Sequence, residues 1–335
     1  MSKRLPIKMV SQEDIATVLK GKNHLVLEIV EAAIREYACG KAWMAPKISQ
    51  IFNEDTQERI NCMPATLTEA KICGVKWVSV FPPNPTKGLQ NVSGIIILSE
   101  INTGFPIAVL DGTLITNLRT AGVGAVAAKY LARGDSTTIG FIGSGEQAKM
   151  HLRLITHVRP SIRRCLVASR RGSSELRFIE ELAEDYPDIE FIPCQSDYRR
   201  AAVESDIIVT AISGQEPILR ADWIRSGALY VHVGGWEDEY AVAKRADKIV
   251  CDEWESVKHR SQTISRMYKE GLLQDDDIYA DLGEIVTGRK EGRSNQNEFI
   301  YFNSVGLAVI DIYFAYEVYK MVSEARIGHI FNIQG

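Results

Sequence analysis

Thr137-Thr138-Ile139-Gly140-Phe141-Ile142-Gly143-Ser144-Gly145-Glu146-Gln147-Ala148-Lys149-Met150 is the stretch whose reading decides the fold. It opens as a short apolar run, passes through Gly-x-Gly-x-x-Ala and continues with a helical pattern. Gly143 lets a strand turn sharply, Gly145 lets backbone N–H groups approach a pyrophosphate, and Ala148 keeps the new helix close to the sheet. Phosphates then sit at the positive end of that helix, where unpaired N–H groups point outward. The stretch predicts dinucleotide contacts from Gly143, Ser144, Gly145, Glu146 and Gln147. Chance loops match Gly-x-Gly-x-x-Ala, so its weight comes from context: a strand before, a helix after, and a second strand carrying a ribose reader. All three are present.

The second strand is Arg164-Cys165-Leu166-Val167-Ala168-Ser169, followed at once by Arg170-Arg171. Its end lies where the ribose-reading residue belongs. An NAD site calls for Asp or Glu there; this chain has Ser169, Arg170 and Arg171, a hydroxyl and two guanidiniums suited to a 2′-phosphate. The expected cofactor is therefore NADP in preference to NAD. A solvated basic turn is the bland alternative.

With 335 residues the chain is long enough for two domains, each with its own core. Its 45% hydrophobic and 24% charged residues place it among ordinary globular proteins. A net charge of -4 and a pI near 6.0 leave no basic footprint for nucleic acid, and short pairs such as Arg163-Arg164 have local explanations. No apolar run reaches membrane-spanning length, and Met1-Ser2-Lys3-Arg4-Leu5 lacks a signal-peptide core. The six cysteines are scattered with no Cys-x-x-Cys pair, which reads as free, mostly buried thiols in a reducing compartment. A cytoplasmic protein with no nucleic-acid or membrane partner is expected.

Residues 11–40 read as helical, from a Ser11/Asp14 capping signal to Gly40. Four strand-like runs follow without intervening helices: Ile48–Phe52, Arg59–Met63, Val75–Val80 and Gly94–Leu98. They imply an antiparallel or mixed sheet. Asp111 looks like an N-cap for a helix running to about Arg133. Its Ala121-Gly122-Val123-Gly124-Ala125 segment calls for a close-packed neighbour, since each interior glycine costs about 1 kcal/mol. Strands at 137–142, 164–169, 189–193, 206–212, 228–233 and 247–252, with helices such as Ser173–Asp185 between them, carry the doubly wound α/β signature. Asp275–Asn297 reads as loop-rich around a short helix. Ile300-Tyr301-Phe302 leads into an apolar helix from Leu307 to about Ser323.

Several motifs then occur in one order: Gly74-Val75-Lys76-Trp77, Leu118-Arg119-Thr120-Ala121, the Gly143–Ala148 loop, Gly234-Gly235, and Ser304-Val305-Gly306 ahead of Asp311. That succession resembles the ornithine cyclodeaminase/μ-crystallin family over nearly the whole chain. Asn84-Pro85, Lys87, Ser93-Gly94, Pro106–Val109, Leu282-Gly283 and Val286–Gly288 resemble the siderophore-pathway branch acting on N-(2-amino-2-carboxyethyl)-L-glutamate. The resemblance implies an α/β protein with a Rossmann doubly wound domain over 119–303. An α+β substrate and dimerisation domain would be formed by both chain ends, 1–118 and 304–335, in a homodimer. It implies an NAD(P)-dependent oxidoreductase acting on the C–N bond of a small amino acid derivative. Ornithine cyclodeamination, imine reduction and non-catalytic ligand binding stay open.

By the same resemblance, Lys76 is the active-site lysine and Arg119 binds the substrate carboxylate. Lys47 falls near a second carboxylate-binding position. Thr120, Thr210 and Val305 join the expected cofactor contacts. Both main roles suit the chemistry, since a guanidinium fork matches a carboxylate and a lysine can exchange a proton near a developing imine. The spacing of Val75-Lys76-Trp77-Val78 alone would as readily turn Lys76 outward. Cyclodeaminases need an aspartate directly after Gly-Gly; here Trp236 stands there, followed by Glu237 and Asp238, which argues against ornithine. Glu237 is the candidate to take over the catalytic carboxylate role. His151, His157, His232 and His259 lack metal-ligand spacing, so no metal is expected. His232, at a strand end, is a candidate proton carrier.

Overall fold

Seven strands of the first sheet come from the N-terminal part of the chain: β1 (Pro6–Val10), β2 (Ala42–Met44), β3 (Ile48–Asn53), β4 (Glu58–Leu67), β5 (Ile72–Val80), β6 (Val92–Glu100) and β7 (Pro106–Asp111). An eighth, His329–Asn332, comes from the other end and pairs antiparallel with β1. These ranges come from a computed structural model that describes residues 5–212 and 214–333; Met1–Arg4 of the N-terminal stretch read above lie outside the described residues. From β2 to β7 the neighbours are antiparallel, while β1 runs parallel to β7. The pleat turns alternate residues to opposite faces. Asn61, Met63, Ala65 and Leu67 of β4, Ile72, Lys76 and Val78 of β5, and Ile96 and Leu98 of β6 are buried. The long apolar helix Ala308–Glu324 lies against this face, close enough that a Cβ on Gly74 would crowd Ile312 Cδ1 at 2.9 Å.

The helical stretch expected over 11–40 is two helices, Gln12–Leu19 and Asn23–Ala38. The first opens with the Ser11/Asp14 capping box. Gly21, at φ +71°, turns the chain between them, and the shared apolar periodicity on either side had hidden the break. The Asp111 cap is present: its Oδ1 accepts from Leu114 N at 2.8 Å at the start of helix Gly112–Leu131. Gly124 in that helix has a clear reason, since a Cβ there would meet His151 Nε2 at 2.5 Å.

The second sheet is wholly parallel. Its strands are β8 (Thr138–Ile142), β9 (Arg164–Ala168), β10 (Glu190–Pro193), β11 (Ile207–Thr210), β12 (Leu229–His232), β13 (Lys248–Cys251), β14 (Ala280–Asp281) and β15 (Ile300–Asn303). Their spatial order is β10-β9-β8-β11-β12-β15-β13-β14. The first five places follow the doubly wound order. The sixth is taken by β15, from late in the chain, which inserts between β12 and β13. Nearly every residue of β8, β9 and β11 to β13 is buried, as parallel strands covered by helices require, while the edge strand β10 is half-exposed. The chain is thus α/β, with a Rossmann-type sheet and a second, mixed sheet.

By contacts the chain divides into two units. One comprises the residues up to Arg119 with those from Leu307 onward; the other is Thr120–Gly306. No helix among the described residues is long and apolar enough to cross a membrane. Cys165, Cys194 and Cys251 are buried free thiols, while Cys39 is exposed.

Candidate active site

In the parallel unit the carboxyl ends of the strands carry the loops of interest. β8 ends at Ile142, and Gly143 turns the chain at φ +109°, a conformation L side chains rarely adopt. A Cβ on Gly143 would stand 2.5 Å from Ala211 O. Gly145 is the N-cap of helix Glu146–Val158, in extended conformation, with no side chain capping the helix and open space beside its Cα. Uncapped N–H groups at a roomy helix start are what a pyrophosphate needs. The loop fits a dinucleotide on this ground. Ser144 and Gln147 are half-buried around it; the Glu146 side chain turns away to Lys149 at 2.8 Å, leaving its backbone at the loop.

After β9, Ser169 is buried, and its hydroxyl donates to Arg171 O at 2.8 Å. Arg170 and Arg171 are exposed, and neither guanidinium is tied to a carboxylate among the described residues. Glu175, the nearest downstream acid, is buried and fully engaged. Its carboxylate accepts from Ser169 N, Gln195 N and Ser196 N, each at 2.8 Å, bracing the two loops that flank this corner.

After β12 the chain passes through Gly234-Gly235-Trp236 into a buried polar cluster. Glu237 accepts from Ile212 N (2.6 Å), Gly234 N (2.9 Å) and Thr210 Oγ1 (2.6 Å). It ties the end of β11 to the glycine turn and has no face toward solvent. The carboxylate oxygens of Glu237, the expected catalytic carboxylate, are occupied by backbone N–H groups and Thr210. The side chain of Thr210, an expected cofactor contact, is buried and turned toward Glu237. His232 is buried with Nε2 against Gly235 O (2.6 Å) and Nδ1 against the Tyr301 hydroxyl (2.7 Å). A carbonyl partner requires Nε2–H, so Nδ1 accepts from Tyr301 and the ring is neutral; burial lowers its pKa to about 4. Both ring nitrogens of His232, the candidate proton carrier, are thus engaged within the protein. Asp238 accepts from Thr263 Oγ1 at 2.7 Å, and its Oδ2 has no partner. Burial raises the carboxyls of Glu237 and Asp238, to about 7 and about 8.

Asp252, at the end of β13, organises the neighbouring turn. Its Oδ2 accepts from Ser304 Oγ (3.0 Å), Val305 N (2.9 Å) and Gly306 N (2.7 Å). The N–H of Val305 is thus spent inside the protein, leaving its half-buried side chain as the group available to a ligand. Thr120 is half-buried within its helix.

In the other unit, Lys76 and Arg119 share one carboxylate. Lys76 Nζ lies 2.7 Å from Asp311 Oδ2, and Arg119 Nε lies 2.7 Å from Asp311 Oδ1; all three are buried. Thr116 Oγ1 accepts weakly from Lys76 at 3.4 Å. Arg119 Nη1 is buried with no hydrogen-bond partner among the described residues. One anion thus serves two cations, leaving a net positive site with a spare donor. Burial and the Arg119 cation pull the Lys76 pKa down to about 8, against the opposing pull of Asp311. Lys47 precedes β3. Ile48 pairs with Cys62 and Met63 with Lys76, so extending the register by one residue puts Lys47 level with Lys76, two strand spacings or roughly 10 Å away.

The family model for the ornithine cyclodeaminase/mu-crystallin family matches residues 8–326. The chain belongs to that family. It is 33% identical to an alanine dehydrogenase of Archaeoglobus fulgidus, over 96% of each chain. It is 30% identical to the N-((2S)-2-amino-2-carboxyethyl)-L-glutamate dehydrogenase of Staphylococcus aureus, over 84% of each. The solved Δ1-pyrroline-2-carboxylate reductase of Thermococcus litoralis, in complex with NADH and L-proline, superposes with a TM-score of 0.91 at 34% identity, covering 96% of this chain and 99% of that one.

The sequence motifs of this family member give no role to Asp311, although a lone carboxylate in the apolar run Leu307–Ser323 is itself a signal that something cationic faces it. Asp252, Glu175 and Asp238 had no comparable signal. They are single acids near strand or helix ends, and only the tertiary structure shows which backbone groups they satisfy. Among the described residues, no group of three or more His, Cys, Asp or Glu is arranged to hold a metal ion.

Proposed function

We propose that the chain is an NAD(P)-dependent oxidoreductase acting on a carbon–nitrogen bond of an amino acid derivative. The observation that carries this reading is the buried Lys76–Asp311–Arg119 triad, with its net positive charge and unpartnered Arg119 Nη1. Arg119 holds the substrate carboxylate through Nη1, and Asp311 fixes the guanidinium from behind. Lys76, with its pKa near 8, exchanges the proton of the substrate nitrogen. Lys47, on the same row, is kept as a second carboxylate contact. The residues that would hold the dinucleotide are the Gly143–Gln147 loop, Ser169–Arg171, Thr120 and the Val305 side chain, and the bound nicotinamide would supply the hydride acceptor. In oxidation the substrate loses a hydride from carbon and a proton from nitrogen, leaving C=N. Water then adds, the C–N bond breaks, and an amine and a keto acid leave.

The specific substrate we favour is N-(2-amino-2-carboxyethyl)-L-glutamate, giving 2,3-diaminopropionate and 2-oxoglutarate, with NADP preferred over NAD. The S. aureus relative and Trp236 in place of an aspartate support it. Assayed with this substrate, the enzyme accumulates NAD(P)H; ornithine cyclodeamination would release ammonia and proline with no net NAD(P)H. Reduction of Δ1-pyrroline-2-carboxylate and oxidation of L-alanine, after the other relatives, belong in the same panel. Absence of turnover with every substrate and both nucleotides would sink the enzymatic reading in favour of a ligand binder. The mixed-sheet unit serves as substrate and dimerisation domain and the parallel unit as cofactor domain, in a homodimer.

A further inference from the structure

In the unit that runs to Arg119 and resumes at Leu307, the buried polar and charged residues among those described are Asn61, Lys76, Thr113, Thr116, Arg119 and Asp311. Lys76, Arg119 and Asp311 form the triad, Thr116 supports it, and Thr113 Oγ1 accepts from Gly94 N at 3.2 Å. Asn61 is the sixth. Its place needs a reason, since asparagine is disfavoured within strands and costly when buried unpaired. Alternation along β4 puts Asn61 on the same inner face as Met63, which pairs with Lys76. Asn61 is thus a diagonal neighbour of Lys76 within one sheet, roughly 7–8 Å away. Ser49, level with Asn61 on β3, donates through Oγ to Asn61 Oδ1 at 2.8 Å. That bond fixes the amide. Asn61 Nδ2, with its N–H donors, has no hydrogen-bond partner among the described residues.

Arg119 Nη1 and Asn61 Nδ2 are therefore spare donors in one unit, while its buried carboxylate, Asp311, is already shared by two cations. A ligand that satisfies both donors brings two oxygen acceptors. We infer that Asn61 is a specificity-determining residue: its Nδ2, positioned by Ser49, reads a distal carboxylate of the substrate, while Arg119 holds the other. The inference rests on the oxidoreductase reading and narrows its substrate class to amino acid derivatives that carry this second carboxylate. Alanine-like and proline-like substrates leave Nδ2 unmet, and a distal ammonium, as in ornithine, meets a donor where it needs an acceptor.

The test uses two keto acids that differ by a distal carboxylate, 2-oxoglutarate and 2-oxobutyrate. Each is titrated by intrinsic fluorescence against the wild type, Asn61→Leu, Asn61→Asp and Ser49→Ala, with NADPH present. The wild type is expected to bind 2-oxoglutarate about ten- to hundredfold more tightly than 2-oxobutyrate, the range of a hydrogen bond to a charged group. Asn61→Leu, close in size, brings that ratio to about one, and Asn61→Asp, which sets an anion against the carboxylate, inverts it. Ser49→Ala keeps the amide but frees it to turn, and so retains part of the preference. A purely structural role for Asn61 would weaken both keto acids alike and could not invert the ratio. No binding of 2-oxoglutarate, no wild-type preference, or a preference kept in Asn61→Leu or Asn61→Asp overturns the inference. If the Asn61 variants do not fold, Ser49→Ala decides, and an unchanged ratio there overturns it. Adding 2,3-diaminopropionate to the same samples tests turnover separately. NADPH oxidation with neither keto acid counts against the proposed reaction, whereas the binding preference is read without it.

Discussion

At the scale of single residues, the triad makes a pH prediction whose sign follows from its charges. Lys76 must be neutral to take a proton, so oxidation should speed up as pH rises through about 8 and level off above it. Lys76→Met should lower kcat about 10²–10⁴-fold and abolish the inflection. Asp311 raises the Lys76 pKa, against the lowering by burial and Arg119. Asp311→Asn should therefore move any remaining inflection below 8, and should destabilise the fold by about 3–5 kcal/mol because two buried cations lose their anion. An inflection unmoved in Asp311→Asn would show that another group titrates. The buried pair behind the glycine turn makes the opposite kind of statement. Asp238 has its folded pKa raised to about 8, so the folded state keeps a proton that the unfolded chain has already lost above about 4. Its stabilising contribution is full below that value and is lost as pH rises through 8. Asp238→Asn resembles the protonated form, so its melting temperature relative to the wild type should climb between pH 6 and 9. A difference that stays constant with pH would mean the carboxyl is ionised throughout.

At the scale of elements, the corner after β9 should decide cofactor choice. A charge-assisted, forked contact to a 2′-phosphate contributes about 1.5–3 kcal/mol, so NADPH should bind roughly ten- to hundredfold tighter than NADH. Arg170→Ala with Arg171→Ala should abolish that margin and spare NADH; equal affinities in the wild type would leave the arginines as a solvated turn. The NADH in the T. litoralis structure is the opposing consideration. Glu175 sharpens the expectation, since its carboxylate is spent on three backbone N–H groups and is not free to read a ribose. The elements show what local sequence can carry. The Gly143 turn, the six strands from 137 to 252 and the Asp111 cap were legible because each depends on residues a few positions apart. Lys76 was not decidable from Val-Lys-Trp-Val; its inward face became clear only when β4 and β6 fixed the pleat. The place of β15 between β12 and β13 was invisible for a related reason. An apolar run of four residues says that it is buried, but not which edges it joins. Strands β1 and His329–Asn332 were missed because they are short and pair only with distant parts of the chain.

At the scale of the whole molecule, the face of β5 opposite Lys76 raises the question of assembly. One residue further along the strand, Trp77 points away from the buried side. Register places Ile48, Cys62, Trp77 and Ile95 in one cross-strand row, and Pro64, Val75 and Ile97 in another. Ile48 is 62% exposed, Phe52 60% and Trp43 56%, so this side of the sheet is broadly apolar and bare in a single chain. Soluble monomers rarely leave such a contiguous patch uncovered, and a second copy of the same face would cover it on both molecules at once. The expected state is therefore a homodimer at micromolar concentration. Trp77→Glu places a charge in the middle of the patch without touching the inward residues Lys76 and Val78. By light scattering it should shift the mass toward the monomer, while the far-ultraviolet circular dichroism stays that of the wild type. Because Lys76 and Trp77 are neighbours on one strand, the variant should also raise KM by loosening the strand that carries Lys76. A wild-type protein of monomer mass would overturn the assembly, and a dimer indifferent to Trp77→Glu would move the interface to another face.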